Sequence, residues 1–150
     1  MESLLISACL LGVRCKYDGG SNALPEETLA ALRARFRLIP VCPETAGGLP
    51  VPREPSERRG NGVYSRGGAD VTDAFLRGAQ IALRLARENG CRAALMKERS
   101  PSCGAGRIYD GSFSGTLVPG SGTAAEKLLA AGIPVFGESE IDRLLSMEQA

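Results

Sequence analysis

The feature that most constrains what this chain can fold into is a layout that occurs three times: a short apolar run with a cysteine at or soon after its carboxyl end. Residues 3–8 (SLLISA) lead into Cys9, residues 37–41 (RLIPV) lead into Cys42, and residues 91–96 (CRAALM) lead through a polar loop to Cys103. Near-continuous apolar runs of this length suit strands buried on both faces, as in a parallel sheet. Between them lie segments of helical character. Pro25 with Glu26 and Glu27 opens one, whose buried stripe is Leu29, Leu32 and Phe36. Thr72 caps another, with Phe75, Ala79, Ala82 and Ala86 at helical spacing and Asn89-Gly90 at its end. Gly78 lies inside that helix, where glycine costs roughly 1 kcal/mol against alanine, and so marks a close approach of backbone or ligand.

A fourth run, residues 133–136 (IPVF), carries a proline at its second position, which suggests an edge strand or a strand start. Thr123 with Glu126 forms a capping box for the helix before it, and Ser139 caps a last helix through about Met147. Residues 63–71 suggest a short hairpin turning at Gly67-Gly68, and residues 108–118 a Gly- and Ser-rich loop with a small ribbon. Residues 45–59, with three prolines and two glycines, read as irregular. Strands alternating with helices predict an α/β fold: one small three-layer Rossmann-like domain over 1–150, with a mostly parallel sheet of about four strands plus a short β-hairpin. Sheets of this kind bind ligands beyond the carboxyl ends of their strands, so Cys9, Cys42 and Cys103 are expected along one rim.

Composition limits the chemistry available there. The chain has 150 residues, a formal charge of +1, five cysteines and no histidine. The balanced charge gives no expectation of a large nucleic-acid surface, although Arg53, Arg58, Arg59 and Arg66 could form a local basic patch around an anion; the simpler reading is a solvated loop. No apolar run approaches the length of a membrane span, and residues 1–8 lack the basic start and cleavage site of a signal peptide, so a cytoplasmic location is expected. Thiols in that compartment stay reduced, which leaves metal binding, catalysis or burial as their roles. Without histidine, catalysis must use thiols, carboxylates, lysine or a metal.

The stretch from Lys97 to Gly104 (KERSPSCG) concentrates those groups. Three thiolates on one rim suit a soft metal or an iron–sulfur cluster with one iron open, and a zinc site with Cys15 as the fourth ligand is the closed alternative. Cys91, with no turn motif around it, reads as a buried hydrophobe. Glu44, two residues beyond Cys42, could donate or accept a proton, its structural alternative being a pair with an arginine of the 53–59 segment. Ser100 and Ser102 could hold substrate or merely satisfy turn backbone, and Lys97 could offset an anionic cluster or ligand. The glycines before Thr123 lack both the phosphate-loop lysine and dinucleotide-binding spacing, and read as a helix entrance.

Taken together, Ser7-Ala8-Cys9-Leu10-Leu11-Gly12, Cys15-Lys16-Tyr17-Asp18-Gly19, Cys42-Pro43-Glu44 with Gly47-Gly48-Leu49, Pro52-Arg53 and Ser100-Pro101-Ser102-Cys103-Gly104 resemble a bacterial family, once known only as a domain of unknown function, that includes the iron–sulfur thiouracil desulfidases. The resemblance spans residues 3–138. It implies a 4Fe-4S cluster held by Cys9, Cys42 and Cys103, whose fourth iron binds the sulfur of a thiolated pyrimidine such as 2-thiouracil. It implies Glu44 and Ser100 as catalytic residues and a recurrent thiol at Cys15, whose role stays open between a redox or sulfur-relay thiol and loop packing. The activity it implies is cluster-dependent, non-redox hydrolysis of the C–S bond to uracil and sulfide, and the lack of a strong basic balance favours the free base over RNA as substrate. The alternative is a zinc-stabilised or cluster-free module that binds a nucleobase or nucleotide without chemistry. Oligomeric state has no signal in the sequence.

Overall fold

The computed structural model describes residues 1–148; the last two residues of the expected 1–150 domain lie outside them. Strand β1 (Glu2–Ser7) is followed by a short 3-10 turn (Ala8–Leu11), helix α1 (Glu26–Arg35) and strand β2 (Phe36–Val41). After a short helix α2 (Pro43–Ala46) come a ribbon of β3 (Ser56–Arg59) and β4 (Gly62–Ser65), the long helix α3 (Thr72–Glu88) and strand β5 (Cys91–Leu95). A second ribbon, β6 (Arg107–Tyr109) with β7 (Leu117–Pro119), precedes α4 (Thr123–Ala130), β8 (Val135–Phe136) and α5 (Ile141–Leu145).

The main sheet has order β2-β1-β5-β8, and each neighbouring pair is parallel. Strand alternation sends β1 side chains both ways. Leu5 joins Ala79, Ala82, Ala86 and Leu128 of α3 and α4 on one face, whereas Leu4 and Ile6 meet Leu32 of α1 and Leu144 of α5 on the other. The three-layer α/β expectation is met. Pro40 stands on edge strand β2, where a missing N–H is tolerated.

Local expectations differ where tertiary partners intervene. The ribbon pairs β3 with β4, so the 45–59 segment contains regular structure, and the turn at Gly67-Gly68 is followed only by a single bridge from Tyr64 to Asp70. Thr72 is the first helical residue and not the cap: its hydroxyl accepts the Val63 N–H at 2.9 Å, tying α3 to the ribbon. The Thr123 capping box is absent as well. The first amides of α4 donate instead to loop carbonyls, Thr123 N to Pro101 O and Ala124 N to Ser102 O, both at 2.9 Å. Ser139 lies inside a short 3-10 turn (Glu138–Glu140), and α5 follows without a side-chain cap. Among the described residues no helix is long and apolar enough to cross a membrane.

Candidate active site

Parallel β1, β2 and β5 end on the same rim, and above that rim opens a cavity of about 530 Å³, within the range of small-molecule sites. Cys9, Cys42, Cys103, Cys15, Glu44, Lys97, Ser100 and Ser102 all line it. Residues from four separate segments thus meet, as expected from the strand ends. Cys91 lies outside the lining, half-buried at the start of β5, with its thiol pKa raised by burial.

Glu44 is placed by a glycine contact between helices. Both Gly78 of α3 and Gly47 just past α2 press backbone against backbone: a Cβ on Gly78 would collide with the Pro43 carbonyl, and one on Gly47 with the Ala74 carbonyl. Arg77 adds two hydrogen bonds to the Gly47 carbonyl, from Nε at 3.0 Å and Nη2 at 2.8 Å. Helix α2 is therefore clamped, and its first turn carries the carboxylate to the cavity.

Arg53 and Ser102 then fix the two oxygens of Glu44. Arg53 donates to Oε1 from Nε (3.2 Å) and Nη2 (3.1 Å), and Ser102 donates to Oε2 at 2.8 Å. Ser102 is 1% exposed, and its hydroxyl also meets Ser100 Oγ at 3.0 Å. With the Ser102 proton directed to Glu44, the Ser100 hydroxyl supplies the one between the serines. A relay of hydroxyls, Ser100 to Ser102 to Glu44, results. Ser100 Oγ meanwhile accepts the backbone N–H groups of Ser102 (3.1 Å) and Cys103 (3.0 Å), so the serine also performs the turn-forming role. Gly104 permits this tight turn, because a Cβ there would lie 2.9 Å from the nitrogens of Arg99 and Ser100.

The structural alternative for Glu44, an arginine partner, is thus present. Arg53 is the residue that sequence reasoning set among solvated loop residues. It reaches from Glu44 to the Cys15 carbonyl (3.0 Å) and the Pro50 carbonyl (3.1 Å), with its side chain 8% exposed. Lys97 ion-pairs with Glu138 at 2.7 Å and donates to the Glu98 carbonyl at 3.2 Å. Phe113 and Arg66, also on the cavity wall, carried no catalytic motif.

The thiols reach one cavity and act on one another. Cys42 Sγ points to the Cys15 carbonyl at 3.9 Å, Cys103 Sγ lies 3.6 Å from the Ser102 hydroxyl, Asn22 lies beside Cys9, and Cys42 is near enough to both Cys9 and Cys15 to raise their thiols. Burial pushes the Cys103 thiol up to about 12. Burial, reinforced by neighbouring Cys42, pushes Cys15 to about 12, and Cys9 is raised chiefly by burial. Burial therefore disfavours charge on these three thiols.

The expected cofactor is corrected by the arrangement of the side chains. Among the described residues no group of three or more His, Cys, Asp or Glu side chains is arranged to hold a metal ion, so neither the 4Fe-4S cluster on Cys9, Cys42 and Cys103 nor the zinc alternative with Cys15 fits this ligand geometry. The iron–sulfur and metal-binding expectations fall with it.

Comparison with known proteins bears on the whole chain. An uncharacterized protein of Bacillus subtilis (strain 168), YbbK, is 39% identical over 152 residues, covering 95% of this chain and 99% of that one. Among solved structures, the 4Fe-4S-dependent thiouracil desulfidase TudS is 48% identical with a TM-score of 0.91, over 96% of this chain and 95% of that chain. The cluster named there belongs to that protein. Residues 4–140, from the first strand to the end of the last 3-10 turn, match the 2-thiouracil desulfurase family, and the chain belongs to that family.

Proposed function

We propose that the protein acts as one desulfidase domain, removing the sulfur of a thiolated pyrimidine such as 2-thiouracil to give uracil and sulfide. Support comes from the family and from the likeness to TudS. The observation that carries the chemistry is Glu44: a carboxylate anchored on one oxygen by Arg53, hydrogen-bonded on the other to a buried serine, and facing a cavity of small-molecule size.

Glu44 takes a proton from water as it adds to the thiocarbonyl carbon, and the tetrahedral species collapses to the carbonyl with loss of hydrosulfide. One water is consumed and one hydrogen sulfide formed per sulfur removed, with no change of oxidation state. Ser100, through Ser102, supplies and recovers protons along the hydroxyl relay, and Ser102 holds the oxygen of Glu44 that faces it. Lys97, on the cavity wall, offsets the charge of the departing sulfide, while its pair with Glu138 fixes its position. For Cys15 we favour the packing role, since its carbonyl receives both Arg53 and Cys42.

The test is incubation of the purified protein with 2-thiouracil, following loss of thiocarbonyl absorbance and release of sulfide, with iron and acid-labile sulfide measured on the same preparation. Glu44→Gln removes the base and should lower kcat by 10²-fold or more, the usual contribution of a general base. Sulfide release at the wild-type rate in that variant would remove Glu44 from the mechanism. No turnover of any thiolated pyrimidine by the wild-type protein would remove the activity itself.

A further inference from the structure

The segment between β6 and β7 alternates in character: Ser112, Ser114 and Thr116 are exposed, and Phe113 between them is half-buried on the cavity wall. The outward hydroxyls form a chain with one another, Ser112 to Ser114 at 2.6 Å and Ser114 to Thr116 at 2.8 Å, with Ser112 also bonded to Asp110 at 2.6 Å. Phe113 has φ of 57°, a region that a bulky residue occupies only when its surroundings impose it.

The imposing group is Glu57 of β3. Its Oε1 accepts the N–H of Gly111 at 3.0 Å and of Phe113 at 3.1 Å, fastening the second ribbon to the first. Gly111 completes the fit, because a Cβ at that position would lie 2.8 Å from the Arg59 Cβ. Arg66, just past β4, places its guanidinium 5.6 Å from the Phe113 ring centroid, at cation–π distance. Arg66 and Phe113 both border the cavity that Glu44, Ser100 and Ser102 also line. A planar heteroaromatic ring that turns its polar edge to those groups needs an apolar flat surface for its π-face. Tyr17 and Tyr109 line the cavity too, but Phe113 is the wholly apolar aromatic side chain there and the one whose backbone has a positive φ.

We propose that Phe113, positioned by Glu57 and backed by Arg66, is the stacking platform for the planar ring of the substrate, an inference that rests on the proposed desulfidase function. Phe113 touches the ring; Glu57, which also borders the cavity, acts by positioning Phe113.

The experiment measures 2-thiouracil binding by calorimetry together with kcat and KM. Phe113→Ala should weaken binding and raise KM roughly 10-fold, the scale of one base–aromatic stack, with a much smaller change in kcat. Phe113→Leu keeps apolar bulk without a π-face and should show most of the same loss, which separates stacking from simple filling of space. Glu57→Ala should raise KM in parallel, and Glu57→Gln, whose amide oxygen still accepts both N–H groups, should recover most of it. If Phe113→Ala and Phe113→Leu bind 2-thiouracil as tightly as a wild-type protein that turns it over, the platform is refuted and the desulfidase reading stands. If wild-type protein neither binds nor converts the compound, both fall together.

Discussion

Glu44 has two carboxylate oxygens, and each is committed to a different partner: Oε1 to the fork of Arg53, Oε2 to the hydroxyl of Ser102. Removing Arg53 strands a carboxylate whose side chain is only 15% exposed and leaves the Cys15 carbonyl with only the weak Cys42 thiol contact, so Arg53→Ala should destabilise the fold by about 2–4 kcal/mol in urea unfolding. Arg53→Lys, which offers no planar fork, should recover only part. The buried thiols give a second test. Cys103 and Cys15 are raised from 9.0 to about 12, so the folded state holds their protons more tightly than the unfolded chain does. Their contribution is full below pH 9 and is lost as pH rises from 9 toward 12, at up to ~1.4 kcal/mol per pH unit per thiol. Urea midpoints across that range should fall, and fall less in Cys103→Ser. The sequence offered an arginine of the 53–59 segment as a partner for Glu44, but which arginine, and its reach to the Cys15 and Pro50 carbonyls, was not legible, because nothing local distinguishes an arginine that folds back onto a carboxylate from one in solvent. The cysteines show the complementary limit: chain order brought them to one rim, but the aim of each sulfur is set by neighbours such as Asn22 and the Cys15 carbonyl, which spacing does not encode.

Among the elements, the contact between α2 and α3 sets the position of the carboxylate. Glycine to alanine in a helix interior ordinarily stabilises by roughly 1 kcal/mol. Gly78→Ala should do the opposite, lowering stability by about 1–3 kcal/mol through overpacking against the Pro43 carbonyl, and should lower turnover as α2 is pushed aside. Urea unfolding and kcat on one preparation check both; a stabilised, fully active variant would show that the helices separate at little cost. This glycine was readable in advance because a residue so poor in a helix needs a reason. The same kind of reasoning failed for Thr72 and Thr123. Capping residues are recognised by the local donors they satisfy, and here a strand amide took the Thr72 hydroxyl while the carbonyls of Pro101 and Ser102 took the amides of α4. Phe113 escaped notice for a related reason: one aromatic in a Gly- and Ser-rich loop has no periodicity to declare which way it faces.

Across the whole molecule, the sheet and the two ribbons differ in how they are held. The central strands β1 and β5 have neighbours on both sides and helices on both faces, whereas each ribbon has a single pairing of three or four residues. Amide hydrogen exchange should therefore be slowest in β1 and β5, with openings close to global unfolding, and fastest in β3–β4 and β6–β7. Equal protection in the ribbons would mean that they open only with the core. The alternation of apolar runs with helical segments made the sheet legible, since strands buried on two faces leave a continuous apolar record, while ribbons of half-exposed residues leave a fragmentary one. The joint made by Glu57 between the ribbons acquires a meaning here that neither ribbon has alone. With the amides of Gly111 and Phe113 both hung on one carboxylate of β3, the two ribbons share a single fastening, so a residue inserted or lost in either one moves the stretch of cavity wall where Phe113 and Arg66 meet.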